Sequence, residues 1–344
     1  LLSRGEEAPL RLLRQGDGPV VRVGSARAPV GTEVRGVGGG EVQRGYGPLS
    51  APQTFDRERR KVRTKMAGLK LHLMLIDDQN DFTDPNGSLF VKNADQNVRR
   101  IAKMVERLQD RIDDVHVTMD SHRIVDISHP LWWVDDNGKQ PAPFTGVVLS
   151  ADRELQFFNY ATGIKTRAHT KAMSARARTI EYIDQLTKGG RYPHTIWPEH
   201  CLIGDAGHNL NPVLSAAIHG WERKRYALSD VVTKGSNPWT EHFSAVMAEV
   251  PDPEDPSTQL NRGLIETIEQ ADIIGCAGEA RSHCFANTLR DIVNNFNDKA
   301  AVSKLVLLTD ATSDVPGFEK YGEDFMLWAK DKGVKFSTCA DFLA

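Results

Sequence analysis

Long apolar runs and paired cysteines are both missing from this 344-residue chain. The most apolar stretches, Leu71 to Ile76 and Leu305 to Leu308, have the length of strands, whereas a helix needs about 20 apolar residues to cross a bilayer. We therefore predict no membrane-spanning segment. The four cysteines are scattered and no signal-peptide core precedes them, so we expect reduced thiols and a cytoplasmic protein.

A strong charge of one sign is also missing. The formal net charge is -3 and the charges are interspersed, which argues against a nucleic-acid or membrane partner. The glycine cluster Gly36 to Gly40 has the wrong spacing for a dinucleotide, and no phosphate-binding lysine loop occurs. We therefore expect a small-molecule partner. The sequence is also compatible with a homo-oligomer.

The first 65 residues differ in composition from the rest of the chain. They are rich in Arg and Gly and poor in aromatics, and the first methionine is Met66. We predict that residues 1–65 are disordered and are translated upstream sequence rather than native domain. An Arg-rich transit peptide is the alternative, although several acidic residues count against it. Residues 66–344 are predicted to form one large globular domain.

Short strand-like runs alternate with helical periodicity from Gly68 onward, which predicts an α/β fold: a three-layer, doubly wound sandwich with a mostly parallel sheet. The predicted strands are Lys70 to Asp77, Asp114 to Asp120, Tyr226 to Thr233, Asp272 to Gly278, Lys304 to Asp310 and Val334 to Ser337. The predicted helices are Gln96 to Ile112, Ala172 to Leu186, Pro212 to Arg223, Glu241 to Val250, Gln259 to Gln270, Cys284 to Asn295 and Phe318 to Lys330.

A long insertion follows the second predicted strand, at about residues 123–195. It interrupts the regular alternation with tryptophans and prolines, and it contains a candidate hairpin around Val147 to Phe158. Insertions of this kind in α/β folds usually shape or cover a site.

Polar residues at strand ends indicate where the site lies, because ligands of open α/β sheets bind beyond the carboxyl ends of the strands. Asp77, Asp120 and Lys234 end the first three strands, and Cys284 begins the helix after the fourth. A thiol at a helix N-terminus beside an ammonium is expected to be acidified. Taken singly, Cys284 is better explained as an inert buried cysteine, Asp77 as a solvated strand-end carboxylate and Lys234 as a surface lysine. Only their combination favours a catalytic site.

A second group combines carboxylate and imidazole side chains. Asp120 and His122 are separated by one residue at a strand end, and His129 is close to them in sequence. His200 follows later, in Trp197-Pro198-Glu199-His200-Cys201. Such ligands suit zinc, iron or manganese. Hydrogen-bonded loop histidines are the alternative explanation.

Five motifs in order resemble those of the nicotinamidase and isochorismatase-like cysteine hydrolases. They are Ile76-Asp77-Asp78-Gln79-Asn80-Asp81-Phe82 with Gly87-Ser88-Leu89, Asp120-Ser121-His122, Trp197-Pro198-Glu199-His200-Cys201, Lys234-Gly235 and Ser282-His283-Cys284. The resemblance covers about residues 68–340. It implies the isochorismatase-like hydrolase fold.

Catalytic roles follow from that resemblance. It implies a triad in which Asp77 takes the proton of the nucleophile Cys284 while Lys234 stabilises the thiolate. The amides of Ala280 and Cys284 would form the oxyanion hole, beside a cis peptide bond between Glu279 and Ala280.

Ligand binding also follows from the resemblance. One divalent metal ion, zinc before iron or manganese, would be held by Asp120, His122 and His200, with His129 as a further candidate. Phe82 and Trp197 would flank a pyridine ring.

The reaction implied is hydrolysis of nicotinamide to nicotinate and ammonia through a cysteine thioester, as part of NAD salvage. Hydrolysis of another small amide, carbamoyl or ureido compound is the alternative. A catalytically silent scaffold protein is a third, since a fold alone does not establish activity.

Overall fold

The computed structural model describes residues 68–135, 137–150, 159–160 and 175–344. The predicted disorder of residues 1–65 and the predicted start at Met66 lie outside these ranges. No helix within the described ranges is both long and apolar enough to cross a membrane.

The described residues form short strands that alternate with helices. The strands are β1 (Leu71–Ile76), β2 (Ile112–Asp120), β3 (Trp133–Val134), β4 (Thr145–Val147), β5 (Asn159–Tyr160), β6 (His194–Ile196), β7 (Asp230–Lys234), β8 (Ile273–Gly278), β9 (Leu305–Leu308) and β10 (Lys335–Ser337). The α-helices are α1 (Asn80–Thr83), α2 (Ala94–Leu108), α3 (Ala175–Gly189), α4 (Pro212–Arg225), α5 (Arg262–Glu269), α6 (Cys284–Asn295) and α7 (Glu319–Lys332).

Six of these strands form one parallel sheet in the order β10-β9-β8-β1-β2-β7. The fully buried strand β1 is central, and its side chains alternate between two apolar cores. Leu73 and Leu75 pack with helices α2 and α4 on one face, whereas Met74 and Ile76 pack with α5, α6 and α7 on the other. The prediction of a three-layer α/β sandwich with a parallel sheet is therefore confirmed.

Local sequence signals set several helix ends. Asn211 caps α4 by accepting a hydrogen bond from the amide of Val213, and Pro212 occupies the first helical position, where a missing N–H costs nothing. Gly333 ends α7 with a φ of 86°, a left-handed conformation that glycine adopts without strain.

The insertion after β2 has a small apolar core of its own. Trp132, Trp133 and Tyr182 are fully buried there, and Trp239 from beyond the insertion packs against them. The predicted hairpin around Val147 is wrong in its pairing, because β4 pairs antiparallel with β6 and β5 pairs with β3. Residues 151–158 of that prediction lie outside the described ranges.

The predicted helix from Glu241 to Val250 is also wrong. Its amides are bonded elsewhere: Ala245 donates to Thr288 Oγ1 over 3.1 Å, and Val250 donates to Thr240 Oγ1 over 3.2 Å. Side-chain acceptors of this kind compete with the regular helical bonds, and here they hold an irregular, buried segment.

Candidate active site

The carboxyl edge of the sheet gathers the four strand-end and helix-start residues that the sequence singles out. Asp120 and Lys234 are register partners at the ends of β2 and β7, and Asp77 directly follows β1. Cys284 is the first residue of α6, which leaves the sheet after β8. Because β8, β1, β2 and β7 are neighbours in that order, these side chains converge at one place.

Lys234 lies at the centre of the group. Its Nζ atom is 2.9 Å from Asp77 Oδ2, 3.0 Å from Asp120 Oδ1 and 3.6 Å from Cys284 Sγ. All four side chains are buried. The structure thus brings the predicted Asp, Lys and Cys together around one ammonium group.

Asp77 is held by the neighbouring strand. The hydroxyl of Thr118 donates to Asp77 Oδ1 over 2.5 Å, and Thr118 also accepts from the Asp77 amide. Asp77 has a φ of 51°, in the left-handed region, so the chain turns sharply where the strand ends. Thr118 shares a strand face with Asp120, two residues on, and this period-two spacing is the sequence signal that could have identified it.

The turn between β8 and α6 depends on glycine at its start. Gly278 has a φ of 116°, and a Cβ atom there would lie 2.1 Å from the carbonyl oxygen of Ile76. The peptide bond from Glu279 to Ala280 is cis, as the resemblance implied. Glu279 holds the turn in place, because its carboxylate accepts hydrogen bonds from the Asn97 side chain and from the amide of Ser313.

The amides around Cys284 fall into two groups. Those of His283 and Phe285 donate to the carbonyl of Ala280. The amides of Ala280 and Cys284 donate no hydrogen bond within the described part of the chain. Two unused amides beside a buried thiol suit an oxyanion, the role predicted for them.

Electrostatics decide the resting protonation of the site. Burial alone lowers the pKa of Lys234, but Asp120 and Asp77 raise it well above its ordinary value, so the ammonium is charged. Burial raises the pKa of Asp77, an effect that Lys234 opposes.

The thiol is not acidified as the sequence suggested. Burial raises the pKa of Cys284 well above its ordinary value, more than Lys234 lowers it, and Asp77 and Asp120 raise it further. One ammonium already faces two carboxylates, so a thiolate would add a third negative group. The resting cysteine is therefore a thiol that needs a base, and Asp77 is the adjacent one.

Asp120, His122 and His200 form a compact group next to this triad. One ligand atom from each lies within 4.8 Å of the other two, and all three side chains are buried. His122 Nε2 is 3.2 Å from Asp120 Oδ2, and His200 Nε2 is 3.6 Å from the same oxygen. Two imidazoles and a carboxylate make a donor set that suits zinc, iron or manganese.

The environment of the two rings fits a metal ion. His122 Nε2 is buried and, although Asp120 is near, it makes no hydrogen bond to any described residue. The opposite nitrogen atoms are bound, since His122 Nδ1 is 3.2 Å from Asp126 Oδ2 and His200 Nδ1 is 2.8 Å from the Pro198 carbonyl. Such partners orient metal-binding histidines. Asp126 was missed in the sequence, although it is four residues after His122 within the insertion.

His129 lies behind this group rather than within it. Its Nε2 atom is 3.4 Å from Nδ1 of His200, the nitrogen that faces away from Asp120, and its Nδ1 atom is 3.1 Å from the Arg123 carbonyl. Burial, together with His122 and His200, lowers the pKa of His129 to about 3. In this arrangement His129 contacts His200 from outside the group of converging atoms formed by Asp120, His122 and His200.

Aromatic rings surround the site. Phe82 packs edge-on against His200 with ring centroids 5.5 Å apart. Trp197 lies 5.1 Å from His283 and 5.4 Å from Phe318, and its indole nitrogen is buried without a partner among the described residues. The sequence identified Phe82 and Trp197, whereas Phe318 comes from a distant loop that only the fold brings near.

Comparisons with known proteins support this fold. The sequence matches no protein-family model and no curated protein. Solved structures do match. An Acinetobacter baumanii nicotinamidase and pyrazinamidase is 19% identical, with a TM-score of 0.51 over 80% of this chain and 98% of that one. A yeast nicotinamidase bound to the inhibitor nicotinaldehyde is 16% identical, with a TM-score of 0.51 over 78% of this chain and 99% of that one.

A second yeast nicotinamidase structure gives the same result, with 18% identity and a TM-score of 0.51. It covers 77% of this chain and 98% of its own. The chain therefore has the α/β fold of these three nicotinamidase structures.

Proposed function

We propose that this chain is a metal-containing nicotinamidase that hydrolyses nicotinamide to nicotinate and ammonia through a cysteine thioester. The observation that carries the proposal is the position of Lys234, whose ammonium contacts Asp77, Asp120 and Cys284 at once. A base, a cation and a nucleophile are thereby buried at the sheet edge where ligands of this fold class bind. The fold shared with nicotinamidase structures agrees with this assignment.

The first half of the reaction forms the thioester. Asp77 takes the proton of Cys284 Sγ as the sulfur attacks the carboxamide carbon, so the net charge of the site does not change. Lys234 stabilises the sulfur anion as it develops. The amides of Ala280 and Cys284 receive the carbonyl oxygen, which becomes negative in the tetrahedral intermediate.

Collapse of that intermediate breaks the carbon–nitrogen bond. The proton held by Asp77 passes to the amide nitrogen, and ammonia departs. Water then attacks the thioester carbon while Asp77 takes one of its protons, and the carbon–sulfur bond breaks. The carboxylic acid leaves, and the proton returns to the sulfur of Cys284.

Asp120, His122 and His200 would hold the metal ion, with Asp126 and the Pro198 carbonyl orienting the rings. A bound divalent ion would supply a Lewis acid for the pyridine nitrogen of the substrate. Phe82 and Trp197 would stack on or border the ring and exclude water from it. The proposed partner is thus a small amide. The four free, buried cysteines agree with a reducing, cytoplasmic setting.

Ammonia release from nicotinamide tests the proposal directly. Purified wild type should release one ammonia per nicotinate, and Cys284→Ala should release none above background. Cys339→Ala is the matched control, because Cys339 is also a buried free thiol but lies in the core on the other face of the sheet. Equal loss in both variants, or activity unchanged in Cys284→Ala, would refute the nucleophile.

Metal content separates this proposal from hydrolysis of other amides. Protein dialysed without chelator should retain zinc, iron or manganese at Asp120, His122 and His200, and the double variant Asp120→Asn with His200→Gln should lose the ion held by this group. Protein that holds no metal in this group yet hydrolyses ureido or carbamoyl compounds would instead be a related cysteine hydrolase. Protein inactive on all of these amides would support the scaffold explanation.

A further inference from the structure

A second group of imidazoles and carboxylates lies on the same sheet face, away from the active site. His72 is near the start of β1, Asp114 and His116 are on β2, and Asp230 begins β7. His116 precedes Asp120 by four residues on the same strand face, which places it about 13 Å from the active-site edge. None of these residues has a part in the proposed reaction.

Three ligand atoms of this group converge. His72 Nδ1 is 3.1 Å from His116 Nε2, and Asp114 Oδ2 is 4.0 Å from the same nitrogen. One ligand atom from each of the three side chains lies within 4.8 Å of the other two. In a tetrahedral zinc site with bonds of about 2.0–2.1 Å, ligand atoms are about 3.3 Å apart, a value between the two measured distances.

We propose that His72, Asp114 and His116 form a structural binding site for a divalent transition-metal ion such as zinc, with Asp230 as the outer partner of His116. The group is separate from Asp120, His122 and His200, and its role does not depend on the proposed nicotinamidase activity.

The arrangement around His116 repeats the one around His122. His122 presents Nε2 to the Asp120 carboxylate while its Nδ1 atom is 3.2 Å from Asp126. His116 presents Nε2 toward Asp114 and His72 while its Nδ1 atom is 3.1 Å from Asp230 Oδ2. A carboxylate on the far nitrogen fixes the tautomer that leaves Nε2 free for a metal ion.

Asp114 is also prepared as a ligand. Its Oδ1 atom accepts a hydrogen bond from the amide of Val115 over 2.9 Å, which holds the carboxylate and leaves Oδ2 facing His116.

A plain chain of hydrogen bonds from Asp230 through His116 to His72 is the competing explanation. That chain accounts for the two distances of 3.1 Å but gives Asp114 Oδ2 no role, because 4.0 Å is too long for a hydrogen bond. A metal ion uses all four side chains. The side chains of Asp114 and Asp230 are 33% and 49% exposed, which gives an ion access from solvent.

The site would stabilise the edge of the sheet. It joins β1 to β2 directly and reaches β7 through Asp230, the register partner of His116. Among the described residues strand β7 pairs only with β2, and it ends with Lys234. A metal ion at the start of this strand would therefore help to keep its last residue in place.

Zinc stoichiometry tests the proposal on the full chain. We expect two zinc ions per wild-type chain after equilibrium dialysis at micromolar zinc. His72→Gln should bind one zinc ion, at Asp120, His122 and His200. The double variant Asp120→Asn with His200→Gln should also bind one, at His72, Asp114 and His116. His72→Gln should still release ammonia from nicotinamide if the proposed function holds, so that the two proposals can fail separately.

Asp230→Asn provides a second measurement that does not disturb a buried ligand. It should weaken zinc binding at this site by about 10–100-fold, the usual effect of removing an outer partner. Asp113→Asn is the control, since it removes the same charge from β2 but its carboxylate accepts from the Leu71 amide instead. One zinc ion in both wild type and His72→Gln, or equal affinities in Asp230→Asn and Asp113→Asn, would overturn the proposal.

Discussion

Replacement of Lys234 by methionine is expected to destabilise the protein strongly. The substitution keeps the length of the side chain but removes an ammonium that lies 2.9 Å from Asp77 and 3.0 Å from Asp120. At an effective dielectric constant of about 20, each such contact contributes about 5–6 kcal/mol of attraction. Desolvation of the buried ions offsets much of this, and breaking a buried pair typically costs about 3–5 kcal/mol.

The loss should depend on pH with a defined sign. Lys234 opposes the rise in the pKa of Asp77 that burial causes, so its removal raises that pKa further in the folded protein. Between the ordinary pKa and the raised one, the folded variant keeps a proton on Asp77 that the unfolded chain has released. The stability of the variant therefore falls as the pH rises through this range. The loss of stability relative to wild type should therefore become smaller as the pH is lowered from about 8 to about 5.

Urea unfolding followed by tryptophan fluorescence, on protein dialysed against a chelator, measures both effects. Lys188→Met is the control: Lys188 is 68% exposed and lies 2.7 Å from Asp184 on the surface of α3. A surface pair contributes at most about 1 kcal/mol. If Lys234→Met loses no more stability than Lys188→Met at either pH, the ammonium does not hold the two carboxylates as described.

Three further substitutions test other parts of the structure. Thr118→Val removes the hydroxyl that donates to Asp77, a charged hydrogen bond of about 1.5–3 kcal/mol, so kcat for nicotinamide should fall about 10–100-fold in steady-state assays; an unchanged kcat would contradict the positioning role. Asp126→Asn should weaken metal binding by His122 about 10–100-fold in equilibrium dialysis, and equal affinity would show that the outer partner is dispensable. Burial raises the pKa of Glu249 from 4.5 to about 8. As the pH rises through that interval, wild type should therefore lose up to about 1.4 kcal/mol of stability per pH unit. Glu249→Gln should lack this slope in urea unfolding, whereas parallel slopes would argue against a buried, neutral carboxyl group.

Much of the site could be predicted because it sits where apolar strands end. Asp77, Asp120 and Lys234 each follow a recognisable strand, and the parallel order of the sheet makes their convergence a geometric consequence. His200 and Trp197 carry no such signal of their own. Their assignment depended on the resemblance of the motif around them, and the structure places both beside the triad.

Other features depended on depth of burial, which local sequence does not reveal. The expected acidic thiol is one example, since complete burial of Cys284 outweighs its favourable position at a helix start. The helix expected from Glu241 to Val250 is another, because its amides donate to the hydroxyls of Thr288, Ser244 and Thr240. Thr118 and Asp126 act through a neighbour, and neither stands at an element boundary.

The central position of β1 has a consequence for how the chain acquires its structure. Strand β1 needs β2 on one side and β8 on the other, and β8 begins roughly 200 residues later in the sequence, a highly non-local contact that slows folding. At ribosomal rates the second neighbour is made about 10–40 s after the first strand. Until then a strand that is apolar except for His72 keeps one edge open. Nascent chains that end before Ile273 should therefore aggregate or require a chaperone, and Cys284 is synthesised only after this interval.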